Sequence, residues 1–177
     1  MRVKVFRCRI CGDPYIGESP PTHCPFCGAK AQYIIDAHDW DGGEFDVDLS
    51  EVSRQNLEAA LDLEMGNAVF YACARDQAAA AGDEYMLANF KCLMKVEAEH
   101  ASAICKFLKI DKPELAGGTC SADAIENSCE GYEREDRAIQ AYARFRDEAS
   151  EPRMREFFGA LVEIETDHLD LHAEDTK

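Results

Sequence analysis

The stretch Lys95–Ala103, KVEAEHASA, places Glu97 and His100 three residues apart in a run with helical periodicity. Three residues make nearly one helical turn, so the carboxylate and the imidazole project from the same face. Apolar side chains occupy the rest of that face at steps of three or four: Met86, Phe90, Leu93, Ile104 and Phe107. An acid and a histidine in a seam meant for a core are costly unless something pairs them. The stretch therefore predicts a pair of buried metal ligands.

The composition is that of a globular protein and excludes two classes of partner. The chain has 177 residues, of which 46% are hydrophobic and 31% charged, enough for one domain or for a small domain beside a medium one. No apolar run approaches the ~20 residues of a membrane span. We expect no export, because a cysteine pair stands where a signal peptide would need an apolar stretch. The net charge of −16 would repel a phosphate backbone, so we expect no nucleic-acid partner.

The nine cysteines indicate a reducing compartment. Four fall in two C-x-x-C pairs, and the other five are scattered through helical-looking sequence: Cys73, Cys92, Cys105, Cys120 and Cys129. An odd number without framework spacing argues against a disulfide scaffold. We expect these five to be packing residues and the protein to be cytoplasmic.

The two C-x-x-C pairs predict a metal site near the N-terminus. The pattern is C-x-x-C-G and then C-P-x-C-G, with twelve residues between Cys11 and Cys24, so the ligands would be Cys8, Cys11, Cys24 and Cys27. The glycine after each pair permits the positive φ that a tight cysteine turn needs. Four thiolates suit zinc or a single iron, and a zinc ribbon remains open on spacing alone.

A composition break at Asp41-Gly42-Gly43 predicts a hinge between a cysteine-rich domain, residues 1–41, and a helical domain, residues 44–177. Caps and breakers then predict four helices, at about residues 50–80, 83–109, 121–149 and 150–172. Mostly short connections imply an antiparallel four-helix bundle, with a longer crossing before Ser121.

The other helices carry candidate ligands of the same kind. Glu64 is the one charge on the seam of the first helix, and Glu165-x-x-His168 in the fourth repeats the Glu-x-x-His turn of the second. The third helix is ambiguous. On one interpretation Glu130 and Glu133 point into the bundle. On the other, a different, apolar face of the helix points inward and the two glutamates do not.

The sequence separations favour the inward interpretation. They are 97 − 64 = 33, 130 − 97 = 33 and 165 − 130 = 35 residues, which returns each carboxylate to a similar height in an up-down bundle. Four carboxylates and two histidines at one level need cations. The set matches the arrangement in ferritin-like di-iron carboxylate proteins.

The motifs resemble those of the rubrerythrins. Residues 6–40, FRCRICGDPYIGESPPTHCPFCGAKAQYIIDAHDW, resemble their rubredoxin-type module. The whole chain resembles the reverse type, in which that module precedes an all-α ferritin-like bundle. The resemblance implies one iron in the four-cysteine site and two in the bundle, with zinc possible in either. The implied di-iron ligands are Glu64, Glu97, His100, Glu130, Glu133, Glu165 and His168.

The resemblance also implies roles for individual residues. Glu133 matches the extra glutamate that separates rubrerythrins from ferritins, and it would hold an iron that His100 releases on oxidation. Tyr71 matches a tyrosine that supports the site. A second such tyrosine is expected about eight residues after Glu130, where this chain has Ala138.

The implied function is a peroxidase for oxidative-stress defence. It would reduce hydrogen peroxide to water with electrons from an external NAD(P)H-linked reductase, relayed by the four-cysteine iron. No Gly-rich nucleotide fingerprint is present, so we expect no nicotinamide site. Relatives imply a homodimer in which the rubredoxin-like iron of one chain serves the other. The alternatives are an oxygen-reducing ferroxidase or iron-handling protein, and a non-enzymatic scaffold with a zinc ribbon.

Overall fold

The N-terminal segment forms a small antiparallel sheet beside two cysteine turns. The computed structural model describes residues 2–176 and orders the strands β1 (Lys4–Cys8), β2 (Pro14–Gly17) and β3 (Ile34–Asp36) as β2-β1-β3. Three strands of three to five residues bury very little by themselves. The segment therefore depends on a metal and on the bundle for its stability.

Four long helices follow this segment: α1 (Glu51–Ala81), α2 (Glu84–Leu108), α3 (Ala124–Glu148) and α4 (Pro152–Asp175). α1 packs along α2 and α3 along α4. The predicted fold class, a ferritin-like bundle with a small rubredoxin-like domain, is confirmed. Among residues 2–176 no helix is long and apolar enough to cross a membrane.

The connections agree with the prediction except at the start of α3. Ser50 and Asp83 supply the cap hydrogen bonds of α1 and α2, at the predicted starts of these helices. The long connection does lie between α2 and α3, but Asp123 caps α3, two residues after Ser121. Residues 109–123 therefore lie outside the helices, and this length matters for the position of the site on α3.

The N-terminal segment is fixed on the bundle by ion pairs and aromatic packing. The Arg9 guanidinium donates to Glu44 at 2.8 Å and to Glu156 of α4 at 2.7 Å. The Phe45 ring packs edge-on against Phe107 of α2, with centroids 4.9 Å apart. One hydrophobic core includes buried residues of both parts.

The predicted hinge is ordered along the bundle rather than free. Gly42 adopts a positive φ of 84°, which only glycine adopts readily. Phe45, Val47 and Leu49 then pack against the common core. The division of the chain into domains at residues 41–44 stays a prediction.

The scattered cysteines do not all behave as packing residues. Cys73 of α1 forms a disulfide with Cys120 of the long connection, which corrects the expectation for this pair. The two are 47 residues apart in sequence, so spacing carried no sign of the pairing. Cys105 is buried as expected, whereas Cys92 and Cys129 are exposed thiols.

Candidate metal centres

The four N-terminal cysteines form a buried cluster of the size that one metal ion requires. The Sγ atoms of Cys8 and Cys27 are 3.7 Å apart, and those of Cys11 and Cys24 are 3.8 Å apart. A tetrahedral metal with bonds of about 2.3 Å separates its sulfur ligands by about 3.8 Å. The four cysteines therefore fit one tetrahedral metal ion.

The glycine after each cysteine pair has the predicted positive φ. Gly12 has φ 88° and Gly28 has φ 76°. Gly28 also allows a close approach, since a Cβ there would lie 3.1 Å from Cγ2 of Ile164 on α4. The second cysteine turn therefore sits directly on the bundle.

A second cluster lies at the centre of the four helices. It consists of two overlapping groups, each with four ligand atoms within 4.8 Å of one another. Glu97 and Glu165 belong to both groups, as two bridging carboxylates would. Each group is completed by one further glutamate and one histidine, Glu64 with His100 and Glu135 with His168.

Unpaired polar atoms show that this cluster fits a pair of cations. Eight of its buried oxygen and nitrogen atoms have no hydrogen-bond partner, although such atoms are costly in a protein interior. They are Glu64 Oε2, both oxygens of Glu97 and of Glu165, Glu135 Oε2, and the Nδ1 atoms of His100 and His168. Two divalent ions would use these atoms and neutralise four carboxylates.

The electrostatics of the cluster lead to the same conclusion. Burial raises the pKa of Glu97 well above its usual value, and the carboxylates of Glu165 and Glu64 add to the rise. Burial would lower the pKa of His100, but the facing carboxylates of Glu64 and Glu165 outweigh it and raise that pKa. The site attracts positive charge, which bound metal would supply.

Two tyrosines hold Glu64 and Glu135, the two glutamates that each belong to only one group, and each tyrosine donates to the glutamate of the other helix. The Tyr142 hydroxyl of α3 donates to Glu64 Oε1 of α1 at 2.6 Å, and the Tyr71 hydroxyl of α1 donates to Glu135 Oε1 of α3. Each tyrosine follows the glutamate of its own helix by seven residues, two helical turns on the same face. One oxygen of each carboxylate is thereby fixed, and the other is left for metal.

The predicted ligands Glu130 and Glu133 are not in the site. Their side chains are 42% and 70% exposed, and they pair with Arg134 and Arg137 on the bundle surface. Glu135 is fully buried in their place. The cause is the long connection before α3: from Glu97 to the buried glutamate of α3 is 135 − 97 = 38 residues, so equal spacing fails.

The missing tyrosine of the sequence prediction is present at another position. Ala138 is a buried core residue, and Tyr142 makes the contact that was expected eight residues after Glu130. The seven-residue glutamate–tyrosine spacing of α1 recurs at Glu135 and Tyr142, and this signal could have identified the α3 ligand. With Glu133 on the surface, its predicted exchange with His100 has no structural basis.

One hydrogen bond joins the two metal centres within a single chain. His100 Nε2 donates to the backbone oxygen of Cys27 at 2.9 Å, while His100 Nδ1 lies 3.2 Å from Glu165 Oε1 in the second cluster. The same imidazole thus contacts a cysteine ligand residue on one side and the carboxylate cluster on the other.

His172, one helical turn after His168, extends the cluster on the side of α3. His172 of α4 is fully buried, with Nε2 2.8 Å from the Tyr71 oxygen and Nδ1 2.9 Å from Ser128 Oγ. Burial, and next the charge of His168, lower the pKa of His172 to about 4. The imidazole is therefore neutral and acts as a hydrogen-bond bridge.

Comparison with known proteins agrees with both centres. Residues 6–34 match the family described as rubrerythrin, rubredoxin-like domain, and residues 55–174 match the family described as rubrerythrin. Reverse rubrerythrin-1 of Clostridium acetobutylicum is 28% identical over 141 residues, which cover 73% of this chain and 76% of that protein. No solved structure matches significantly.

Proposed function

Because this chain belongs to the rubrerythrin family, with the rubredoxin-like segment first, we propose that it is a di-iron peroxidase. The coarser description, an iron-binding oxidoreductase with one four-cysteine site and one carboxylate–histidine site, follows from the family and the two clusters. The proposed reaction is H2O2 + 2 H⁺ + 2 e⁻ → 2 H2O. Oxidative-stress defence is the corresponding physiological role.

The hydrogen bond between His100 and Cys27 is the observation that carries this proposal. It supplies a path from the Cys27 sulfur, through that residue's own backbone, to an imidazole that faces the carboxylate cluster. When bound, a four-cysteine iron exchanges single electrons, and an iron pair supplies the two electrons that peroxide needs. A protein that only stored metal would have no use for such a link.

The residues around the cluster would position the metals and control access. Tyr142 and Tyr71 fix the terminal glutamates by hydrogen bonds, so these carboxylates are preorganised. Of the six ligand residues, His168 alone has measurable exposure, 9%, whereas the other five are at 0%. A small oxidant would therefore approach from the His168 side, and the rest of the site would exclude water.

Reduction of oxygen with oxidation of ferrous iron is the second candidate function. It is favoured by the absence of the extra glutamate, since Glu133 is 70% exposed and outside the cluster. Four glutamates and two histidines are the ligand set of ferritin-like proteins in general. The same centre could thus serve either oxidant.

Rapid mixing of the reduced, fully loaded protein with each oxidant separates these functions. We expect hydrogen peroxide to oxidise the protein faster than oxygen does, with the four-cysteine iron reoxidised in the same event. Faster oxidation by oxygen would replace the peroxidase assignment by the second candidate. Metal analysis that finds only zinc in the four-cysteine site would remove the electron relay and leave the scaffold alternative.

The electron donor, the oligomeric state and the location of the protein are proposals as well. We propose an external NAD(P)H-linked reductase as electron donor, a homodimer, and the cytoplasm. The exposed thiols of Cys92 and Cys129 favour a reducing compartment, whereas the Cys73–Cys120 disulfide counts against one. The expected transfer between chains is unnecessary for the relay, because the Cys27–His100 contact lies within one chain. If the relay is internal, its rate will not change when the protein is diluted below the dimer dissociation constant.

A further inference from the structure

A chain of buried polar side chains leads from Glu135 away from the metal cluster. In order, Tyr71 contacts Glu135, His172 contacts Tyr71, and Ser128 contacts His172. All four are fully buried. We propose that this polar chain, Ser128–His172–Tyr71, delivers protons to the Glu135 side of the site, a role that rests on the proposed reduction of an oxidant there.

The donors of the polar chain all point toward Glu135. A metal-binding carboxylate only accepts, so the Tyr71 hydroxyl donates to Glu135. The Tyr71 oxygen then accepts from His172 Nε2–H, at 2.8 Å. Because a neutral imidazole carries one proton, His172 Nδ1 is an acceptor and the Ser128 hydroxyl donates to it, at 2.9 Å. Because Glu135 can only accept, it sets the direction of every hydrogen bond in the polar chain.

Gly131 of α3 makes the space that His172 occupies. A Cβ at this position would lie 2.5 Å from His172 Nε2 and 2.6 Å from Cε1, closer than any side chain could remain. Glycine within a helix destabilises it relative to alanine. Its presence in the middle of α3 therefore has a packing reason, and that reason is the imidazole.

The other half of the bundle shows that the fold does not need a polar chain. Matching the glutamates of the two halves relates α1 to α3 by an offset of 135 − 64 = 71 residues, and α2 to α4 by an offset of 165 − 97 = 68 residues. The positions equivalent to Ser128 and His172 are then Leu57 and Ile104, which are fully buried and apolar. The polar chain is thus an addition on one side of a symmetric site.

Sequence neighbours of Ser128 and His172 line a surface cleft. A surface cleft of about 320 Å3 is lined by Cys129 and Ala173, which directly follow Ser128 and His172 in the sequence, and by Tyr132, Glu133 and Thr176. In the proposed relay this cleft is the source of the protons that reach Ser128.

One pass along the polar chain delivers one of the two protons that the proposed reaction consumes, and the proton of His172 returns from Nδ1 to Nε2 before a second pass. Tyr71 passes its hydroxyl proton to Glu135 Oε1, from which the oxidant would take it, and receives the Nε2 proton of His172. The imidazole takes the Ser128 proton on Nδ1, and Ser128 is reprotonated from the cleft. The two electrons come from the reduced protein. His172 and Ser128 are positioning residues in this scheme, since neither touches the reacting atoms.

The first test compares His172→Phe and Ser128→Ala with Ile104→Val, a matched change at the equivalent apolar position. All are loaded with iron, reduced and mixed with peroxide in H2O and in D2O. We expect the first two to keep three irons per chain but to react at least tenfold more slowly, because a positioned proton donor is worth about 10²–10⁴ in rate. Their slowing in D2O should exceed that of the wild type, and Ile104→Val should match the wild type.

Unchanged rates in both variants would overturn the proposal. Slower rates with the same D2O effect as the wild type would also overturn it, because they would indicate that His172 and Ser128 have only a structural role. The second test is ¹⁵N NMR of the zinc-loaded wild-type chain, which needs no turnover. We expect His172 to carry its proton on Nε2, and a proton on Nδ1 would overturn the donor order. A wild type inert to peroxide would instead refute the peroxidase, and the same comparison would then use oxygen.

Discussion

Replacement of Glu135 by alanine tests the corrected ligand set most directly. Glu135 supplies one of the four side chains in the His168 half of the cluster, and one of the four carboxylates of the whole cluster. Loss of a residue that only supports a metal ligand typically lowers affinity about 10–100-fold. Loss of the ligand itself should therefore lower the affinity of the second iron by at least about 100-fold, while the half formed by Glu64 and His100 still binds.

The assay is anaerobic titration of metal-free protein with ferrous iron, followed by iron analysis after desalting. Wild-type protein should retain two irons in the bundle, and Glu135→Ala one. Glu133→Ala is the matched control, because that side chain is 70% exposed on the same helix, and it should behave as wild type. Retention of both irons by Glu135→Ala, or loss of one by Glu133→Ala, would refute the reasoning.

Three further predictions concern docking, the disulfide and acid stability. Arg153→Ala removes a guanidinium that contacts the backbone of Arg9, so electron transfer between the centres should slow in stopped-flow while both retain metal; an unchanged rate would contradict the docking role. Cys73→Ser opens a disulfide across 47 residues, which should lower the unfolding free energy by up to about 4 kcal/mol in urea titrations; reductant should no longer change its midpoint, whereas it should for wild type. Burial raises the pKa of Glu151, but hydrogen bonds from Ser50 and Ser53 outweigh it and lower that pKa to about 2. The ionised carboxylate therefore stabilises the fold fully above its unfolded pKa, and this contribution is lost as pH falls from about 4.5 toward 2. The stability difference between Glu151→Gln and wild type, measured on metal-free protein, should therefore shrink below pH 4.5, and a constant difference would disprove the link.

The candidate ligands on α1, α2 and α4 could be predicted from the sequence, because each interrupts an otherwise apolar helix face. Glu64, Glu97 and Glu165 are conspicuous for this reason, and all three lie in the buried cluster. α3 has no such contrast, since seven charged residues fall within residues 126–137. Hydrophobic periodicity cannot select one buried carboxylate from such a run, and a resemblance aligned on equal spacing selected the wrong one.

Features that depend on packing between distant segments were beyond prediction. The Cys27–His100 hydrogen bond spans 73 residues, and its acceptor is a backbone oxygen that no sequence motif marks. Residues Cys73 and Cys120 meet only because the long connection returns across α1. In both cases the sequence supplied the residue types, and the tertiary fold supplied the partner.

The packing of His172 on Gly131 has an evolutionary consequence. Because a Cβ at position 131 would overlap the imidazole, neither position can change freely without the other, and related chains should show paired substitutions at these positions, 41 residues apart. The equivalent half of this bundle already carries the other compatible pair, Ala60 with Ile104, both fully buried. A relative with alanine at position 131 should accordingly have an apolar residue at 172.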